Sequence, residues 1–167
     1  ADGYGQSWIH HFTKERDYVR SFGGPGQEPG KLRTPHGIAI DRRVEPAVLL
    51  VCDRENNRLQ VFGLDGKHQK VLKGDVRRPC NVFLRGNVAA VADLAGRVTL
   101  FDANWKVIAH LGDNSDQSQW ANNGVPKEKW QDGVFISPHG LAWDARGDLY
   151  VMDWLAAGRV SKLRRLE

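Results

Sequence analysis

The chain has 167 residues, 41% of them apolar, and a formal net charge of +4. That length suits one domain with a buried core, and no run approaches the ~20 apolar residues that a membrane-crossing helix needs. The clustered basics Arg42-Arg43, Arg77-Arg78 and Lys162 to Arg165 fall on different predicted turns. They read as solvated surface rather than the one-sided charge of a nucleic-acid interface.

No stretch sustains a helical period, and short alternating runs broken by Gly, Asp, Asn and Pro predict strands and hairpin turns. Four times along the chain an aspartate closes an apolar run, a polar turn follows, and an Arg or its stand-in opens the next run. The copies run from Asp2-Gly3-Tyr4 to Ile9–Phe12, from Asp53 to Arg58–Phe62, from Asp93 to Arg97–Phe101 and from Asp153 to Arg159–Leu163. In the second copy strands are predicted at His36–Asp41, Val48–Asp53, Arg58–Phe62 and His68–Lys73. The last two are joined by Leu64-Asp65-Gly66-Lys67, and Asp-Gly is a strong hairpin signal. The two cysteines, Cys52 and Cys80, allow one disulfide at most; Cys52, inside an apolar run, reads as a small buried residue.

Four antiparallel strands recurring at roughly 40 to 50 residues with no helix between them predict an all-β fold built of β-propeller blades. Pro35, Pro79 and Pro138 mark the pitch, the second interval being lengthened by the polar segment 112–135, an insertion between blades. The blades are read at about 1–33, 34–74, 75–113 and 136–167. This makes about 14 strands, or roughly three and a half blades, where closed propellers have about 4 to 8. An open ring leaves edge strands, so the chain is expected to be the C-terminal part of a longer protein or to need a second copy for closure.

In a meander the start of strand 1 and the end of strand 2 lie on the same edge of the sheet. One face of the propeller therefore carries Pro35-His36-Gly37, Pro79-Cys80-Asn81 and Pro138-His139-Gly140, together with Tyr4, Arg54, Leu94 and Trp154. His36 and His139 stand at equivalent strand entrances two blades apart and are candidate metal ligands, because a catalytic zinc takes about three protein ligands and a water. Cys80 occupies the equivalent place in the intervening blade, an awkward spacing for a His, Cys and His set. Each histidine can equally serve as a hydrogen-bonded strand-entry residue. Arg54 suits the grip of a carboxylate or an ion pair with Asp53 or Glu55 of its own turn. Tyr4 is a candidate acid or base. His10, His11, His68 and His110 show no such convergence and read as structural. Trp120 and Trp130 in the insertion could form a lid or pack the loop down.

Asp2-Gly3-Tyr4, Gly23 to Gly30, Thr34-Pro35-His36-Gly37, the string from Asp53 to Phe62 and Ser137-Pro138-His139-Gly140 resemble NHL-repeat propellers. More narrowly, the ordered set of Tyr, His, Arg and His resembles the peptidyl-α-hydroxyglycine α-amidating lyase branch. The resemblance implies a six-bladed ring with zinc in its channel, held by three histidines. By position, His36 and His139 resemble two of the zinc ligands, Tyr4 the catalytic tyrosine and Arg54 a substrate-binding arginine. The first zinc histidine and a further arginine would lie upstream of Ala1. Gly140 stands where the family often carries an Asp that supports a structural calcium, which counts against calcium here. The resemblance favours a secreted or periplasmic location.

The reading that follows is a zinc-dependent lyase acting on a small peptide or small-molecule substrate in the channel, releasing a peptide amide and glyoxylate. The alternative is a non-catalytic NHL propeller that serves as a peptide, glycan or protein-binding scaffold. RNA binding through a basic face, as in some animal NHL domains, is a third option that the scattered charge disfavours.

Overall fold

The computed structural model describes residues 1–72 and 75–166. Among the described residues the chain is all-β apart from three single turns of 3-10 helix, and the strands form four antiparallel sheets. The first sheet pairs β1 (Trp8–Phe12) with β2 (Tyr18–Gly23). The second is the meander β3 (Pro35–Asp41), β4 (Val48–Asp53), β5 (Arg58–Gly63) and β6 (His68–Leu72). The third repeats it with β7 (Pro79–Arg85), β8 (Val88–Asp93), β9 (Arg97–Phe101) and β10 (Val107–Leu111). The fourth holds β11 (Pro138–Trp143), β12 (Leu149–Asp153) and β13 (Arg159–Leu163).

The predicted strands of the second copy match these bounds to within a residue; the end of the last one, Lys73, lies outside the described residues. The described residues give 13 strands, and Asp2 joins Trp8 through a lone bridge where the sequence places the end of one more strand. The Asp-Gly hairpin forms as its residues dictate, with Gly66 at φ +85, a conformation that costs glycine little.

Alternation of side chains gives each inner sheet two buried faces. Leu50, Cys52, Leu59 and Val61 point into a core shared with Val82, Ala89 and Val91 of the next sheet. Val51 and Phe62 point the other way, onto Ile9 and Leu32. A further core joins Ala90, Ala92 and Val98 to Leu141, Leu149 and Val151. The sheets thus stack face to face in chain order, as propeller blades do. Strands β3, β7 and β11 approach one another across blades, which makes them the inner strands.

The recurring aspartates fix how the chain enters each blade. Asp53, Asp93 and Asp153 are buried, and each pairs in register with the Pro that opens its blade, Pro35, Pro79 and Pro138. Each carboxylate accepts a backbone N–H from the loop entering the blade: Arg33, Arg77, or Ile136 and Ser137. Each also accepts from the arginine opening the third strand, Arg58 at 2.6 Å, Arg97 at 3.3 Å and Arg159 at 2.7 Å. Those arginines reach on to carbonyls of the same loop, Lys31, Asp75 and Val134. The repeat is a structural clamp that ties each inter-blade loop to its sheet.

Candidate functional site

The clamp fixes where each strand entrance sits. Because Pro35, Pro79 and Pro138 share one register, the residues after them, His36, Cys80 and His139, occupy equivalent places, each lying within an irregularity in the pairing. The fold brings all three together: one potential donor atom from each lies within 4.8 Å of the other two. The imidazole centroids of His36 and His139 are 4.6 Å apart and perpendicular. The awkward spacing expected for Cys80 disappears, because neighbouring inner strands approach so closely that a Cβ on Gly37 would lie 2.5 Å from the Cys80 carbonyl oxygen.

Backbone contacts orient the histidines. His36 Nδ1 is 2.9 Å from the Cys80 carbonyl oxygen, which can only accept, so Nδ1 carries the proton and Nε2 is left with a lone pair. Burial lowers the pKa of His36, and the nearby Arg54 charge adds to this against the Cys80 hydrogen bond. For His139, burial, then the charge of His36 and that of Arg54, lower it as well. Both shifts favour the neutral ring, the form that binds metals. Burial pushes the Cys80 thiol up to about 11, although Arg54 and Arg78 pull it down. Both cysteines are free and buried.

Tyr4 and Arg54 join this group. Arg54 Nη1 donates to the Tyr4 hydroxyl at 3.0 Å, and its guanidinium lies 5.3 Å from the Tyr4 ring centroid. The Tyr4 ring meets His36 edge-on at 6.0 Å, and Trp154 stands 6.1 Å from His139. Arg54 is buried, whereas Tyr4 is 80% exposed, so the pair presents a fixed phenol to solvent. The expected ion pair within the turn also forms, since Arg54 Nε donates to Glu55 at 3.0 Å. Arg78 donates to the same Glu55 oxygen at 2.7 Å, a link between blades that sequence patterning did not suggest. Burial raises the Glu55 pKa, but Arg78 and Arg54 outweigh it and hold the carboxyl below its ordinary value. Leu94, at the matching turn of the next blade, is buried, and its side chain brings no polar group to the site.

The remaining candidates separate from the site. His10 bonds to Ser21, and His110 contacts Thr99 and Asp75. His68 packs against Phe62. In the insertion, Trp120 and Trp130 donate their indole N–H groups to Asn114 and Val125 carbonyls. Arg77 and Arg159 stack 4.3 and 5.3 Å from the two rings, so the tryptophans pack the loop down.

The donors suit a zinc ion: two neutral imidazoles, one with a free Nε2, and a thiol make a nitrogen and sulfur set. The oxygen ligands that calcium requires are not what this cluster offers.

No family model matches the chain. It is 48% identical over 42 residues to the E3 ubiquitin-protein ligase TRIM71 of Xenopus tropicalis, and 46% identical over 44 residues to TRIM71 of Rattus norvegicus. Those short matches, to the NHL region, cover 25% and 26% of this chain and 5% of each relative. Among solved structures, Kuenenia stuttgartiensis hydrazine synthase superposes with a TM-score of 0.63 at 14% identity, over 93% of this chain and 39% of that one. Virginiamycin B lyase from Staphylococcus aureus follows with a TM-score of 0.61 at 11% identity, over 97% of this chain and 50% of that one. The fold is a β-propeller. At these identities the structural likeness speaks for architecture alone, and the chain spans half or less of each of these proteins.

Proposed function

We propose that this face cleaves the carbon–nitrogen bond of a peptidyl-α-hydroxyglycine or a related α-hydroxy amide. The observation that carries the reading is the Tyr4–Arg54 hydrogen bond set beside the paired imidazoles of His36 and His139. His36 and His139 would hold a zinc ion, which when bound supplies Lewis acidity to the substrate's hydroxyl oxygen. Arg54 places a permanent positive charge where the substrate carboxylate docks. Tyr4 receives the hydroxyl proton and passes it to the departing nitrogen. The C–N bond breaks as the carbonyl of glyoxylate forms, the electron pair leaves with nitrogen, and the products are an amide and glyoxylate. The half-buried histidines and buried Arg54 give the charge a partly desolvated setting, in which electrostatic stabilisation is stronger than in water.

The test is glyoxylate release from an N-acyl-α-hydroxyglycine by the zinc-loaded full-length protein. Turnover is expected, with a loss of about 10²- to 10⁴-fold in Tyr4→Phe, the span of general acid–base contributions. Metal is expected to be lost in the double variant His36→Ala/His139→Ala. Full metal occupancy in that variant, or no glyoxylate from the loaded protein, would overturn the reading. The short TRIM71 similarity and the exposed Tyr4 and Trp154 favour the second reading in that event, a scaffold that binds a peptide or glycan without turnover.

A further inference from the structure

Resting on the metal reading above, we infer that Cys80 is itself a ligand, so that this chain alone supplies a His36, Cys80 and His139 site for a thiophilic divalent metal. Three observations converge on it. The residue after the opening proline is His, Cys and His in three successive blades, and the strand register makes the three positions equivalent. Their donor atoms lie within 4.8 Å of one another. Tetrahedral zinc with Zn–N bonds of about 2.0 Å and a Zn–S bond of about 2.3 Å places its ligands about 3.3 to 3.5 Å apart, so the widest separation must close by up to about 1.5 Å, through rotations about side-chain bonds. Finally, the Cys80 carbonyl takes up His36 Nδ1 and so directs Nε2 to act as the ligand, the usual way a metal-binding imidazole is oriented. Here the residue that contributes the sulfur also orients one of the nitrogen ligands.

The blades themselves favour this assignment over a structural role for Cys80. Cys52 lies in the apolar core between sheets, among Leu50, Leu59 and Val82. Cys80 is equally buried yet belongs to none of the apolar clusters among the described residues, and it lies against two imidazoles and a guanidinium. His36, Cys80 and His139 together make a mixed nitrogen and sulfur set of the kind that tetrahedral zinc takes.

The experiment is cobalt(II) substitution of the full-length protein, read by absorption. A thiolate-to-cobalt charge-transfer band in the near ultraviolet is expected in the wild type and in Cys52→Ser, and its loss is expected in Cys80→Ser. X-ray absorption of the zinc-loaded wild type, which depends on no variant folding, should show one sulfur at about 2.3 Å. Bound cobalt without the charge-transfer band, or zinc with only nitrogen and oxygen neighbours, overturns the Cys80 assignment while leaving the histidine reading in place. Failure of the wild type to bind either metal overturns both.

Discussion

Asp93 differs from its two counterparts in how well its buried carboxylate is served. Asp53 gathers Asn56, Arg58, Gln60 and the Arg33 N–H, whereas Asp93 has Thr99, the Arg77 N–H and a longer contact to Arg97. Arg97 is shared with Asp75 and Asp113. Burial therefore wins at Asp93 and raises its pKa to about 7. The folded chain keeps a proton there that the unfolded chain releases near ~3.9. Stability from the neutral carboxyl is fully present below that value and is lost as pH rises through about 7. The two histidines act in the opposite sense: their folded pKa values are lowered, so their contribution is present above ~6.5 and is lost as pH falls below it. Asp93→Asn is expected to abolish the first effect and keep the second. Thermal unfolding at about pH 5 and pH 7.5, bracketing these values, should show the wild type losing ground to the variant at the higher pH; parallel behaviour would refute the assignment.

At the scale of elements, the approach of β3 to β7 sets the site. A Cβ on Gly37 would meet the Cys80 carbonyl oxygen at 2.5 Å and the Asn81 Cα at 2.9 Å, both backbone. The same addition at Gly140 meets only the flexible Met152 methyl at 3.3 Å. Gly37→Ala should therefore cost about 1–3 kcal/mol, the usual range for overpacking, and separate His36 from the Cys80 carbonyl. Gly140→Ala should cost less, and urea midpoints in the reverse order would count against this account of blade contact. The insertion is held by residues outside it. Its aromatics left lid and packing both open in sequence, and the choice is made by Arg77 and Arg159, residues of the clamp that happen to lie beneath the rings.

For the whole molecule, the outermost sheets are the thin ones, with two and three strands. Among the described residues, β13 is paired on one side only, and β1 has beyond β2 the single bridge to Asp2. Unpaired edges recruit other strands, and Val160 on β13 is 68% exposed. The 167-residue chain expressed by itself should associate as its concentration rises, seen as earlier elution in size-exclusion chromatography. A monomer independent of concentration would contradict this. No helix among the described residues is long and apolar enough to cross a membrane.

The amino-acid sequence by itself determined the strands, their meander order and the repeat, because alternation, Asp-Gly turns and the opening prolines are local signals that act within one blade. It also placed Tyr4, His36, Arg54 and His139 on one face, since antiparallel order alone sorts loops to an edge. Only the tertiary structure decided how closely blades approach one another. That distance is set by stacked cores and by Gly37 against the Cys80 backbone. It brings Cys80 to both histidines, joins Arg78 to Glu55 and completes the Tyr4–Arg54 pair. These contacts bridge different blades, and no period read along the chain reports a distance between them.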